Sequence, residues 1–292
     1  MSIIDEIKDS FKHGTTLTKL IYINLGVFLL LHAGIVILYL ANAQESIDTL
    51  LTWMAVPASL ESLLIRPWTV FSYMFLHKDF FHILFNITWL YWFGKIFLQY
   101  LDEKKLLSLY ILGGFAGAVV FIASYNIFPV LKEQAPVAIA MGASAAVMAI
   151  VIAIAAFVPD HSMYIIFIGP VKIIWIALIS FFLSSVVDFS VNTGGKIAHM
   201  GGALFGYLFI VRYKQGKDIT IWFSEIIDFI FSLFKTKKKM KVSHKRTMTE
   251  MEYKAVQIEK QKEIDRILDK ISKSGYESLT SREKEMLFKL GK

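Results

Sequence analysis

Six nearly unbroken apolar stretches dominate this sequence and decide what it can fold into. They lie near Leu20–Ala41, Phe81–Leu101, Leu106–Phe128, Val137–Val158, Ile168–Val187 and Ile197–Tyr213. As helices rising ~1.5 Å per residue, runs of ~17–22 residues match a hydrocarbon core of ~30 Å. A mean hydropathy of +0.55 excludes an ordinary soluble domain of this length. The expected fold class is an all-α membrane protein built as a six-transmembrane-helix bundle. No cleavable signal peptide is expected, because charged residues precede the first run and no convincing cleavage site follows it. The sequence has no cysteine, so disulfides and thiolate chemistry are excluded.

Charge sets the expected orientation. From Arg212 onward there are 20 Lys and Arg against 12 Asp and Glu, leaving 11 of the 31 basic and 12 of the 24 acidic residues for everything before it. The basic excess thus lies wholly in the tail. The positive-inside rule places that tail in the cytoplasm, and an even number of spans places the N-terminus there too. Beside a membrane, attraction to anionic lipid explains a basic tail more simply than nucleic-acid binding does.

Residues 1–17 are expected as a cytoplasmic N-terminal segment and 18–213 as the six-span core. Within the core, Asn42 to Phe80 carries Trp53, Pro57, Leu60, Leu63, Leu64, Pro67 and Trp68, too apolar for a free loop. It reads as a first loop half sunk in the outer leaflet. Residues 214–241 read as an amphipathic interfacial helix and basic linker. Ser224, Glu225, Asp228 and Ser232 share one face of that helix, opposite Ile, Trp and Phe. A seventh span there would carry two acids and move the basic tail outside. Residues 242–292 read as a small cytoplasmic helical tail, with a stop at Gly275 and a capping box at Thr280–Glu283 opening a second helix. Its role is open between anchoring and a solvated charged surface.

Polar residues within apolar spans are costly and invite functional explanation. Three sets occur here: His82 with Asn86 in "FLHKDFFHILFN", Ser144 in "GASA", and His199 in "IAHMGGALFG". They fall near the starts of the second, fourth and sixth spans, and all even spans start on the outer side. Unrelated packing residues have no reason to agree in depth. Gly202 and Gly206, with Gly142 and Ala145, form small-residue faces that let the fourth and sixth helices approach closely. Such contact brings Ser144 toward His199, the minimum for nucleophilic hydrolysis: a neutral imidazole takes the hydroxyl proton as the oxygen attacks a carbonyl. The helix-start N–H of Ser144, with His82 and Asn86, supplies donors for an oxyanion. Asp188, which ends the fifth span on the same side, is conceivable as a third member but reads rather as a solvated loop acid, and the residues read as a dyad. The short "SVNTGGK" loop before the sixth span, with Gly194 and Gly195, reads as a mobile cap over a water cavity, and Phe181–Phe182 as a gate.

Together these motifs resemble the rhomboid family of intramembrane serine proteases over about Thr18 to Tyr213. The resemblance implies a rhomboid-like bundle with a membrane-embedded first loop. It implies Ser144 as nucleophile, His199 as general base, and His82, Asn86 and the Ser144 amide as oxyanion hole. Gly142 matches the glycine of the family's serine motif. Implied substrates are transmembrane proteins with small residues near the cut and helix-weakening residues beyond it. Three positions depart from the family pattern. The tryptophan–arginine pair reads Trp68–Thr69 with arginine at Arg66, Ala145 replaces a glycine, and Met148 stands where many members carry a tyrosine against the histidine.

Other residues read as structural: His77 bonding within the first loop, His32 at a helix interface, and Trp89, Tyr91 and Trp92 as span aromatics. Lys95 has no functional reading. No cofactor or metal is expected. The alternative to a cell-membrane serine endopeptidase is a non-catalytic rhomboid-like protein binding membrane clients. A channel or transporter would spread its polar residues through the bilayer, whereas here they cluster at one depth. The sequence leaves the oligomeric state open.

Overall fold

The structure, a computed structural model, describes residues 2–234 and 249–290. The chain forms two compact units, Met1–Lys235 and Thr236–Lys292. The basic run expected as a linker falls mostly at 235–248, outside the described residues.

The first unit opens with α1 (Ile3–His13), started by a Ser2–Asp5 capping box, and α2 (Thr16–Leu40), capped by Thr15. The apolar first loop folds into α3 (Glu45–Met54), a two-residue strand β1 (Val56–Pro57), α4 (Leu60–Ile65) and a single turn α5 (Thr69–Ser72). Next come α6 (Phe80–Tyr100), α7 (Glu103–Ile127), the short α8 (Pro129–Lys132), β2 (Ile139–Ala140) and α9 (Ser144–Phe157). A hairpin of β3 (Ser162–Ile165) and β4 (Gly169–Lys172) leads to α10 (Ile173–Ser185), α11 (Thr193–Lys214) and α12 (Ile221–Phe234).

Among the described residues, two helices are long and apolar enough to cross a membrane, α2 and α7; α9 and α10 are apolar but shorter. The fourth and fifth apolar runs therefore exceed their helices. Of Val137–Val158, the first seven residues are extended or turning, because Gly142 adopts φ +119° and β2 pairs with β1. Pro159 follows the helix end, where proline disfavours a helical residue before it. Of Ile168–Val187, residues 169–172 are strand, with Pro170 lacking the N–H a helix interior needs. The "SVNTGGK" stretch is corrected in the other direction. Helix α11 starts at Thr193 behind Asn192 (φ +55°), so both glycines lie in its first turn and Gly194 packs against Phe121. The expected mobile cap is thus half helix.

At the centre, α9 is buried almost all round between α7 and α11. Glycines make this possible. A Cβ on Gly202 would stand 2.0 Å from the Ala145 carbonyl oxygen, and one on Gly206 2.2 Å from that of Ala149. On α7, a Cβ on Gly113 or Gly117 would meet the methyls of Ala149 or Ala145 at 2.3 and 2.5 Å. Helix α2 is peripheral, and His32 ties it to the segment before α6, its ring nitrogens 2.9 Å from the Phe28 carbonyl and 3.1 Å from that of Lys78.

The first loop is held by main-chain pairing of Val56–Pro57 with Ile139–Ala140, just ahead of Ser144. The displaced arginine still braces it. Arg66 donates to the Thr52 carbonyl at 2.6 Å, and Trp68 Nε1 donates to the Trp53 carbonyl while the two indoles stack 5.7 Å apart. Helix α12 turns its polar face to α7, with Ser224 meeting Ser108 at 3.0 Å and Asp228 meeting Lys104 at 2.6 Å. Trp222, Ile226, Phe229 and Ile230 point away from the protein. Lys95 is exposed beside the Tyr91 ring.

The second unit contains α13 (Glu250–Ser274) and α14 (Ser281–Leu290), joined by a turn at Gly275 with φ +76°. Thr280 and Glu283 form the capping interaction read from the sequence, and Lys270 reaches Glu283 at 3.0 Å.

Replacing Gly206 by alanine should lower thermal stability in detergent by ~1–3 kcal/mol, since a backbone carbonyl blocks the new methyl. Gly26→Ala, where nothing lies within 4 Å, should leave the midpoint unchanged or raised; equal effects would contradict the packing. In the tail, the Thr280 backbone N–H and then Lys270 hold the Glu283 carboxyl down at about 2, from an ordinary 4.5. Its stabilisation is complete above that ordinary value and is lost as pH falls from about 4.5 through about 2. Hydrogen exchange of α14 should rise over that window, and Glu283→Gln should flatten the change.

Candidate active site

The N-terminal ends of α6 and α9 and the first turns of α11 meet at one end of the bundle. His82 is the third residue of α6, Ser144 the first of α9 and His199 the seventh of α11. All three line one cavity of about 650 Å³, as do Asn86 and Met148. The sequence-read set is thus gathered in one place, and each member is positioned by a local device.

Ser144 is set by the two residues before it. The Gly142 N–H donates to the Tyr73 carbonyl at 2.8 Å and the Ala143 N–H to His77 Nε2 at 3.3 Å. His77, fully buried, lies 3.3 Å from the Phe75 carbonyl through Nδ1. A carbonyl only accepts, so the hydrogen sits on Nδ1 and Nε2 is left to receive donors. Asn86 Nδ2 is the second of these, 3.2 Å away, and its other hydrogen goes to the His82 carbonyl at 2.9 Å. Both amide hydrogens of Asn86 are therefore committed in this state. The His82 ring stands edge-on to His77, with centroids 5.1 Å apart.

Gly142 differs from Gly202 and Gly206. Grouped with them above as a helix-packing residue, it instead makes room for His82: a Cβ there would lie 2.6 Å from Cε1 and 2.7 Å from Nε2 of that ring. Its φ of +119° would also strain any other residue.

His199 is oriented by main chain, not by an acid. Its Nδ1 lies 3.1 Å from the Ser184 carbonyl. That carbonyl is available because α10 ends one residue later, and the last carbonyls of a helix lack intrahelical partners. Nδ1 must then carry the hydrogen, which leaves the Nε2 lone pair free. Asp188 is exposed and lies outside the cavity lining, as a solvated loop acid does, and the Ser184 carbonyl is the group that meets the ring. No hydrogen bond joins Ser144 to His199; the two share the cavity without touching through hydrogen.

Sequence reading assigned no role to several residues that line the cavity, Ser184, Asp79 and Asn192 among them. Ser184 supplies the acceptor. Asp79, at the N-cap position of α6, makes no capping bond and is exposed at the cavity. Asn192 occupies the N-cap position of α11 in a left-handed conformation, likewise without a side-chain capping bond. A helix-terminal Asp or Asn was a readable signal; a backbone carbonyl has none. Among the described residues no cluster of His, Asp or Glu could hold a metal ion.

Residues 65–215, just over half of the chain, match the Rhomboid domain family. Residues 248–292, which include the helical tail, match a family of unknown function (DUF6576). RHOMBOID-like protein 12, mitochondrial, of Arabidopsis thaliana is similar, 27% identical over 162 residues that cover 52% of this chain and 48% of that protein. The match thus spans about half the length of that relative. With "FLHKDFFHILFN", "GASA" and "AHMGGALFG" all inside the matched region, the chain belongs to the rhomboid family and so to the proteins of membranes.

Proposed function

We infer that this chain is an intramembrane serine endopeptidase that cuts membrane proteins in or near their transmembrane segments. The observation that carries the reading is the free Nε2 of His199, its Nδ1 held by Ser184, in the same cavity as Ser144. Helices α2, α6, α7, α9, α10 and α11 are taken to cross the cell membrane six times. Family membership, the two clearly membrane-capable helices and the basic tail support this, with both termini cytoplasmic and the cavity opening on the outer side. The tail then faces anionic lipid.

The chemistry follows from the tautomer. Nε2 of His199 accepts the Ser144 proton as Oγ bonds to the substrate carbonyl carbon. The carbonyl electron pair becomes an oxyanion, met by the Ser144 N–H and by an N–H of the His82 ring. Asn86 joins them on releasing His77. As the oxyanion collapses, the peptide C–N bond breaks and His199 returns the proton to the leaving amine. Water in the cavity then repeats the sequence on the acyl-enzyme. The hydrogen bond missing in the resting state is taken to form with substrate bound, since catalytic hydrogen bonds commonly tighten only then. Peptide bonds in an intact helix are shielded, so the substrate must unwind at the cut, which favours small and helix-weakening residues there.

Two observations favour the second reading, a non-catalytic client binder: the resting gap between Ser144 and His199, and the commitment of both Asn86 hydrogens. Purified protein in lipid should cleave a single-span substrate and react with a fluorophosphonate. Ser144→Ala and His199→Ala should each lose at least ~10²–10⁴-fold with helicity unchanged. A wild type that cleaves none of a substrate panel and takes up no probe would establish the client binder instead.

A further inference from the structure

At the end of the bundle away from the cavity, the β3–β4 hairpin projects a tip that its own fold does not account for. Tyr164, Ile166, Phe167 and Ile168 are 82%, 72%, 103% and 72% exposed. The Ile168 N–H donates to the Ile165 carbonyl, closing a turn in which Phe167 takes φ +70°. That turn position favours glycine, and a bulky side chain there costs on the order of 1–3 kcal/mol. Phe167 thus holds a strained backbone while fully exposed, with nothing among the described residues covering it, which points to compensation from outside.

We propose that the tip of this hairpin is a membrane-interface finger, inserting Ile166, Phe167 and Ile168 into the lipid leaflet at the end of the bundle opposite the cavity. The proposal rests on the reading that the helices cross a membrane. Element lengths favour lipid as the occupant. The 14 residues of α9 and 13 of α10 reach ~20 Å, short of a ~30 Å core. The hairpin joins the two helices where they fall short. Its depth is limited by its backbone, since the outer strand edges need water and a lipid-exposed sheet edge does not occur in hydrocarbon. The headgroup boundary satisfies both demands: wet edges and a greasy tip. Its surroundings agree. Lys172 and Asp160 pair across the hairpin base at 2.6 Å, and His161 meets Tyr100 at the end of α6 at 3.0 Å. Lys214, which bonds the Ala156 carbonyl, and Arg212 bring positive charge to the same end, suited to anionic headgroups.

The lack of cysteine makes the test direct. The full chain carrying Phe167→Cys, Leu30→Cys or Glu259→Cys is labelled with an environment-sensitive fluorophore in phosphatidylcholine–phosphatidylglycerol vesicles. Leu30 is 75% exposed on α2 and reports bilayer; Glu259, exposed on α13, reports water. The probe at 167 should lose at least about twofold of its emission to nitroxide-bearing lipid and little to aqueous iodide, as insertion of the tip to ~5–10 Å requires. Quenching of 167 by iodide, with Leu30 still quenched by lipid, overturns the finger and leaves the spanning reading intact. Shielding of 167 from both quenchers means that protein covers the tip and overturns it equally. If Leu30 also escapes the lipid quencher, the spanning reading and the finger fall together.

Discussion

The backbone contact of α9 with α11 and α7 is the constraint on which the rest of the structure depends. Helices surrounded by lipid gain little from burying apolar surface against one another, because the tails are as apolar as the side chains. What remains is close van der Waals approach, and that requires the removal of Cβ atoms. Gly202 and Gly206 bring α11 onto the Ala145 and Ala149 carbonyls, while Gly113 and Gly117 open α7 to the alanine methyls of the same helix. Because α9 is fixed on both sides, its first residue is fixed as well. Ser144 is placed by glycines up to two turns away that lie outside the cavity lining.

The site is also organised without buried charge. Orienting a histidine with a carboxylate in an apolar bundle would require desolvating an ion. Here two histidines are oriented by neutral groups instead. His77 receives the Ala143 N–H and the Asn86 amide on one nitrogen and meets the Phe75 carbonyl with the other. His199 meets the Ser184 carbonyl, at a helix C-terminus where aligned peptide dipoles leave partial negative charge. A helix end thus does part of the work of an acid, without the cost of burying one.

What could be read from the sequence follows the same division. Ser144, His199, His82 and Asn86 announced themselves because polar side chains in apolar runs are costly, and their common depth could be counted along the runs. The paired glycines of α11 were legible from their spacing. Features made by main chain were not. The Ser184 carbonyl has no signature, and hydropathy cannot tell an apolar extended segment from an apolar helix. For that reason 137–143 and 168–172 were counted as span. Gly142 was read as a packing residue because a small residue has the same letter whether a helix or the His82 ring fills the space beside it. The tail's Thr280 cap and Gly275 stop were legible because capping chemistry is local.

The short α10 joins these observations into one mechanical argument. In the proposed membrane frame its final turn holds the tautomer of His199, while its first residue follows the hairpin whose tip seeks the opposite leaflet. A helix of 13 residues has no spare turn with which to absorb displacement. Any tilt that opens a path between α10 and its neighbours must either carry His199 along or release Nδ1. On the proposed reading of His199 as the base, a ring that loses that partner is free to turn, and its other tautomer offers Ser144 a hydrogen where a lone pair is needed. On that reading, access to the cavity along α10 and competence of the base are not independent variables. The proposed anchoring of the far end of α10 at the lipid interface would restrict it to motions that pivot about the hairpin, and these displace the Ser184 end most.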